Sequence, residues 1–141
     1  MSVVTNHEYQ AANAVSLPVE RAWVYRPQTA WLYSHHPSLT FFNGRYYAIW
    51  SNGRRDEDAP GQRVLIANSQ DFLNWTEPMP LIDTMPGEHG EQVLTAAGFH
   101  QHDGQLVAYA GTYEYHPECL DENGNRCPGD KGHMNTSLLA V

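Results

Sequence analysis

Apolar runs alternate with polar turns between Ser34 and Asp83. The spacing predicts four short strands, which run from Pro37 to Phe42, from Arg45 to Ser51, from Arg63 to Asn68 and from Thr76 to Ile82. Asn43-Gly44 separates the first two strands, and both residues tolerate the positive φ of a type I′ hairpin turn. The segment is therefore expected to fold as one antiparallel sheet.

The second and third predicted strands are apolar on both faces. Tyr46, Ala48 and Trp50 alternate with Tyr47 and Ile49, a pattern typical of a sheet that is covered on both sides. The fourth strand contains two prolines, which cannot donate a ladder hydrogen bond and fit an edge strand. We therefore expect a sheet that stacks against similar sheets and has its fourth strand outermost.

An internal repeat supports this architecture. The segments around the turn glycines Gly44 and Gly104 align, and further along the chain Val64–Ala67 resembles Ser137–Ala140. The matching segments of the second pair are farther apart in sequence than the two turn glycines are. The second copy therefore carries a longer loop between its second and third strands. Three units follow: residues 1–30, an N-terminal segment with a short strand within Val15 to Tyr25; residues 31–85, a complete blade; and residues 86–141, a second blade without its fourth strand.

Consecutive four-stranded antiparallel units with two-sided burial are typical of a β-propeller, and no segment shows helical periodicity. The predicted fold class is all-β. Closed propellers contain about 4 to 8 blades, so the chain holds an incomplete propeller. Its uncovered blade faces would be apolar, which predicts self-association through them.

One turn and one strand pair resemble a known family. Ser69–Trp75 (SQDFLNW) resembles the S-x-D-x-x-x-W turn of propeller glycosidases, although it lacks a glycine and is one residue shorter than the Asp box of sialidases. Trp50–Asp71 is similar to a blade of sialidase-like proteins, and arabinanase-like and fructosidase-like propellers contain similar blades. The resemblance covers roughly residues 31 to 141. It implies a propeller of about five to seven blades that acts on, or binds, carbohydrate.

The composition narrows the choice of partners. The formal net charge is −8, from 8 basic and 16 acidic residues, which argues against nucleic acid or an anionic membrane as a partner. A local pair of arginines could still bind an anionic sugar. Met1 to Gln10 lacks the basic start and apolar stretch of a signal peptide, so secretion or export to the periplasm would require a signal that this sequence does not show.

Antiparallel topology places the loop before the first strand of each blade and the loop between its second and third strands at the same rim. Polar residues concentrate there, as expected for ligand loops on a rigid scaffold. The substrate-binding candidates are His35, His36, Arg54, Arg55, Asp58 and Gln92. The catalytic candidates are Asp56, Glu57, Glu91, Tyr113 and Glu114.

Each candidate also has a plain structural interpretation. Arg54 and Arg55 could clamp a sugar carboxylate, or Asp56 to Asp58 could neutralise them in a solvated loop. Glycosidases generally use two carboxylates, and sialidases use a tyrosine nucleophile instead. Tyr113 beside Glu114 would suit that exception, but adjacent strand residues point to opposite faces.

The histidines and cysteines leave further alternatives open. His100 and His102 could bind a metal with His89 or His116, but they flank a hairpin turn at the opposite rim, so we predict no metal site and no cofactor. Cys119 and Cys127 enclose a turn that either a disulfide or two free thiols would fit.

The sequence thus favours an exo-acting glycoside hydrolase of sialidase-like propeller type that acts on a terminal sugar, which could be anionic. A lyase that uses His36 and Tyr113 on uronic acid polymers is the enzymatic alternative. A non-catalytic carbohydrate-binding or assembly module is the alternative without catalysis.

Overall fold

The first sheet has the predicted hairpin order. The structure is a computed structural model that describes residues 16–127 and 132–141. Its first four strands are β1 (Tyr33–Phe42), β2 (Arg45–Gly53), β3 (Arg63–Ser69) and β4 (Met79–Ile82), and each pairs antiparallel with the next. Asn43 and Gly44 have φ values of 46° and 78°, as a type I′ turn requires. The predicted outer position of the fourth strand is confirmed.

The second sheet contains β5 (Val93–His102), β6 (Gln105–Tyr115) and β7 (His133–Ala140) in the order β5-β6-β7. Pairing in the first hairpins of the two sheets is equivalent, since Leu39 faces Ala48 and Phe99 faces Ala108. The third strands differ by one position from the sequence alignment. Ile49 pairs with Ile66 whereas Tyr109 pairs with Ala140, so the structural equivalent of Ile66 is Ala140 rather than Leu139.

Both sheets contain a bulge at the same place in their first strand. The pairing slips between His35 and Ser38 in β1 and between Ala96 and Gly98 in β5. The bulged strand adopts positive φ at His36 (50°) and at Gly98 (109°). A bulge bends a strand and redirects its side chains, and here it does so next to the rim loops.

The main core lies between the two sheets. It is built from mostly small or branched residues, namely Ile49, Val64, Leu94, Ala96, Ala108 and Ala110. The Ala96 N–H donates to Ser51 Oγ at 2.9 Å, and Ser51 is fully buried. The sheets therefore pack face to face as neighbouring blades, and this hydrogen bond crosses the core between them.

The outer face of the first sheet is covered by the N-terminal segment. Trp50 packs there with Val24 and Tyr25, and the Tyr25 and Trp50 ring centroids are 5.5 Å apart. The short strand predicted within Val15 to Tyr25 is not formed in residues 16–25, and Val15 lies outside the described residues. The segment covers a sheet face with its side chains instead of extending a sheet edge, so ladder hydrogen bonds are not made.

The described residues otherwise form loops, turns and one 3-10 turn (Pro117–Cys119). The all-β prediction is confirmed. Among these residues, no helix has the length and apolar character needed to cross a bilayer.

Candidate functional site

Three loops meet at one end of the two sheets, which we call the rim. They are the β2–β3 loop (54–62), the β4–β5 segment (83–92) and the described parts of the β6–β7 loop (116–127 and 132). The Gly61 N–H donates to the Gln92 carbonyl at 3.0 Å, and the Leu94 N–H donates to the Gln62 carbonyl at 3.2 Å. These backbone bonds tie the loop of the first sheet to the strand that starts the second.

The loops enclose a cleft of about 170 Å³, the rim cleft, whose charged and polar lining includes Arg54, Arg55, Asp56, Glu91, Asn125 and Arg126. Ligand pockets for drug-sized molecules typically measure about 300–1,000 Å³, so this cleft would accept one sugar unit at most. Two larger cavities, of about 410 and 350 Å³, lie beneath residues 23–28. They share no lining residue with the rim cleft, and His35 is the one candidate residue that lines either of them. Four candidates line the rim cleft, so we place the candidate site there.

Arg54 and Glu91 pair across the cleft wall. Arg54 Nη2 donates to Glu91 Oε1 at 2.9 Å, and Nη1 donates to Oε2. The hydrogen bond from the Arg54 side chain lowers the pKa of Glu91, and the same bond raises the pKa of Arg54. The pair thus stays ionised and links the two sheets, and Arg54 is already engaged by a protein carboxylate.

Arg126 brings a further cation to the cleft and was not among the residues identified from sequence. It follows a tight turn in which Asp121 Oδ1 accepts the N–H groups of Asn123 and Asn125, both at 2.8 Å. These bonds, led by the one from Asn125, lower the pKa of Asp121. The Asp-x-Asn-Gly-Asn spacing signalled a preorganised turn, but only the fold shows that the turn reaches the loop of the other sheet.

The two cysteines beside this turn are both free, and Cys119 is buried. The Cys127 N–H donates to the Cys119 carbonyl at 2.7 Å. Backbone pairing therefore closes the turn without a disulfide.

Tyr113 and Glu114 point in opposite directions. The Tyr113 ring stacks on His133 at 3.9 Å, and its hydroxyl lies 3.5 Å from that of Tyr115. Burial, reinforced by the hydrogen bond to Tyr115, raises the pKa of Tyr113. A nucleophilic tyrosine needs a lowered barrier to deprotonation, so this environment does not favour the predicted nucleophile.

Glu114 is 3% exposed and holds the β4–β5 segment. Its Oε2 accepts the His89 N–H at 2.9 Å, and its Oε1 accepts from Asn135 Nδ2 at 3.1 Å. The backbone bond from His89 is the main cause of its lowered pKa. A Cβ on Gly87 would clash with this carboxyl group, so any other residue there would displace the carboxylate. The contacts favour a structural role for Glu114.

Four of the five remaining candidates form a second group around Gln62, a residue that no sequence pattern singled out. His35 Nε2 lies 2.8 Å from Gln62 Oε1, and His35 Nδ1 lies 3.2 Å from Glu57 Oε1. The Asp58 N–H donates to Gln62 Oε1 at 3.1 Å. His36 is exposed beside His35, and their ring centroids are 4.0 Å apart.

Gln92 and the distal histidines lie apart from both groups. Gln92 Nε2 donates to the Pro86 carbonyl at 3.4 Å, and its Oε1 accepts from Thr112 Oγ1. His100 and His102 stack with centroids 5.9 Å apart near the β5–β6 turn, at the opposite end of the sheet. The structure therefore brings Arg54, Arg55, Asp56 and Glu91 together at the cleft, whereas Gln92, Tyr113 and Glu114 do not line it.

Comparisons with known proteins agree with this architecture. A solved structure titled "Sialidase" superimposes with a TM-score of 0.57 and 19% sequence identity over 74% of this chain. The match spans 13% of that chain, and identity at this level shows the fold alone. No curated protein sequence matches significantly. The predicted resemblance to sialidase-like propellers is confirmed at the level of the fold. Because the family model described as "Beta-prop_BT_1020:-like, N-terminal beta propeller" matches residues 2–107, the chain belongs to that β-propeller family.

Proposed function

We propose that this chain is part of a glycoside hydrolase of sialidase-like propeller type, which binds a terminal anionic sugar in the rim cleft. The observation that carries the proposal is the convergence of Arg54, Arg55 and Arg126 on one small cleft that also presents Asp56 and Glu91. The chain as a whole carries a net charge of −8, so a local excess of cations at one cleft is a specific feature.

Anion binding is assigned to the two arginines of the cleft that do not pair with Glu91. Arg54 is paired with Glu91, whereas Arg55 is exposed at the cleft. Arg126 Nη1 donates a long bond, 3.4 Å, to the Tyr115 hydroxyl. That bond raises the pKa of Arg126, and the charges of Asp56 and Asp58 add to the effect. A guanidinium matches the planar geometry of a carboxylate and can bind it through two parallel hydrogen bonds. Arg55 and Arg126 are thus the proposed substrate clamp.

Hydrolysis is assigned to the carboxylates of the same cleft. Glycosidases place two carboxyl groups on either side of the scissile bond, one that gives a proton and one that acts as base or nucleophile. Arg54 holds Glu91 ionised by lowering its pKa, which suits the base or nucleophile. Asp56 is exposed at the cleft and is the proposed proton donor. Glu57, which faces His35, is not assigned a catalytic role.

The lyase alternative is less favoured. It would require Tyr113 or His36 to remove a proton beside a uronic carboxylate. Burial raises the pKa of Tyr113 and so opposes formation of the phenolate base. The tyrosine also contacts His133 and Tyr115, which restricts its access to substrate.

The test compares acidic and neutral sugars in separate binding and turnover assays. We expect Arg55→Ala and Arg126→Ala each to weaken binding of sialic or glucuronic acid glycosides about tenfold or more, since a hydrogen bond to a charged group contributes about 1.5–3 kcal/mol. Neutral glycosides should bind both variants as they bind the unaltered protein. Arg21→Ala, an exposed arginine outside the cleft, is the matched control.

Turnover is then measured with fluorogenic glycosides, and Glu91→Gln should lower it. Equal losses for acidic and neutral sugars would contradict the clamp. Acid-selective binding without turnover in the unaltered protein would contradict the hydrolase and favour a binding module. An unsaturated product that absorbs in the ultraviolet would instead identify a lyase.

A further inference from the structure

Two neighbouring histidines lie side by side at the rim because of the β1 bulge. On a regular strand, adjacent side chains point to opposite faces. The register slips between His35 and Ser38, and His36 has φ 50°. The two rings consequently lie with centroids 4.0 Å apart and planes inclined by 39°. Glu57, from the β2–β3 loop, completes a cluster in which one ligand atom of each residue lies within 4.8 Å of the others.

The buried Gln62 fixes which nitrogen of His35 carries a proton. Gln62 is fully buried, and its Nε2 donates to the Leu94 carbonyl at 2.9 Å. Its Oε1 accepts the Asp58 N–H at 3.1 Å, so this atom is an acceptor. His35 Nε2, 2.8 Å from the same oxygen, must therefore donate. The free lone pair of a neutral His35 ring then lies on Nδ1.

That lone pair faces a carboxylate oxygen. His35 Nδ1 and Glu57 Oε1 are 3.2 Å apart, and both would be acceptors when the ring is neutral. Two acceptors at this distance repel each other unless a proton or a metal cation lies between them. We propose that His35 Nδ1, His36 and Glu57 bind a divalent transition-metal cation of the Zn²⁺ type, with Gln62 as the partner that orients His35.

The dimensions fit such an ion. Zinc binds histidine nitrogen and carboxylate oxygen at about 2.0–2.2 Å, so two ligand atoms at a tetrahedral angle are about 3.4 Å apart. The Nδ1–Oε1 distance of 3.2 Å is close to that value. Contacts of up to 4.8 Å elsewhere in the cluster must shorten, and His36 and Glu57 are exposed, so their side chains can move.

The chemistry of the ligands selects the ion. Imidazole suits zinc, copper and nickel, whereas calcium and magnesium prefer oxygen ligands alone. Histidine ligands typically donate their second ring N–H to a carbonyl or carboxylate oxygen, and His35 does so to Gln62. Three protein ligands at an exposed rim leave a coordination position for water.

The first experiment is calorimetric titration of chelator-treated protein with Zn²⁺, repeated with Co²⁺ to record its visible absorption. We expect one ion per chain. Two variants remove a proposed ligand: Glu57→Gln, and His36→Asn, which keeps a residue that tolerates positive φ. Each should weaken Zn²⁺ binding at least about tenfold, since even the loss of a residue that only hydrogen-bonds to a ligand lowers metal affinity about 10–100-fold. His102→Asn, in a stacked pair near the β5–β6 turn, should bind as the unaltered protein does.

A second readout identifies the coordinating atom. In ¹⁵N spectra of the histidine rings, Zn²⁺ should shift His35 Nδ1 while Nε2 keeps its proton. Absence of uptake would show that a doubly protonated His35 simply pairs with Glu57, and would overturn the proposal. Equal weakening by His102→Asn, or coordination through His35 Nε2, would also overturn it. No sugar is used, so the result is independent of the proposed hydrolase function.

Discussion

Glu114 offers a direct way to distinguish a structural carboxylate from a catalytic one. The change is Glu114→Gln, which preserves shape and removes the charge. The carboxylate is 3% exposed and accepts the His89 N–H at 2.9 Å and Asn135 Nδ2 at 3.1 Å. Its lowered pKa also reflects a bond from the Glu88 N–H. An amide retains one oxygen, so its NH₂ group must face at least one of these donors.

The magnitude follows from the bonds that are lost. A hydrogen bond to a charged group contributes about 1.5–3 kcal/mol, and a buried donor left without a partner costs about 1–3 kcal/mol. We expect Glu114→Gln to reduce the free energy of unfolding by about 2–3 kcal/mol at pH 7, measured by urea denaturation. Glu122→Gln, at an exposed position of the Asp121 turn, should change it by less than about 0.5 kcal/mol.

The pH dependence provides the internal check. The folded-state pKa of Glu114 lies below its ordinary value, so ionisation stabilises the fold at pH values above the unfolded pKa of about 4.3. That contribution is lost as the pH falls through the folded pKa. The stability difference between the two proteins should therefore shrink below about pH 4. Unchanged stability at pH 7 together with lost turnover would refute the structural interpretation and restore Glu114 as a catalytic candidate.

Two further predictions concern charged contacts at opposite ends of the first sheet. The Arg54 and Glu91 side chains are 44% and 42% exposed, so solvent screens their ion pair. A double-mutant cycle with Arg54→Met and Glu91→Gln should give a coupling free energy of about 0.5–1 kcal/mol that declines with added salt. A coupling free energy that does not change with salt would contradict this. Asp71 accepts the N–H groups of Asn74 and Leu73 at 2.7 and 3.0 Å, which lower its pKa. Asp71→Asn should lower the melting temperature at pH 7, and the difference should vanish as the pH falls below the unfolded value of about 3.9 through the folded pKa; a difference that persists in acid would contradict this.

Local patterns were sufficient to predict the sheet. The Asn43-Gly44 turn and the two-sided apolar pattern of β2 specify a hairpin and its burial without reference to distant residues. Pro78 and Pro80 likewise mark an edge strand, and among the described strands β4, which contains Pro80, pairs only with β3. These features depend on backbone chemistry within a few residues, which is why the sequence carries them.

The arrangement of the site depended on contacts that no local pattern encodes. Gln62 is a polar residue before a strand, and nothing in the sequence shows that it is buried between two sheets with His35 and Leu94. Strand alternation predicts that His35 and His36 diverge, but one bulge brings their rings together. A single irregular residue thus changes which side chains can act on the same ligand.

The rim also shows why the site and the packing of the two blades are coupled. Arg54 lies in the loop between two strands of the first sheet and Glu91 precedes the second sheet, so the cleft wall exists only when the sheets are packed. Gln62 also links the two sheets, since its side-chain amide hydrogen-bonds to both His35 and the Leu94 carbonyl of β5. A ligand that binds the cleft or the histidine cluster must therefore favour the packed arrangement, because only the folded state presents these groups together. Zinc and an acidic sugar should each raise the melting temperature of this chain, and each increase should disappear with its own ligand residues, Glu57 for the ion and Arg55 for the sugar.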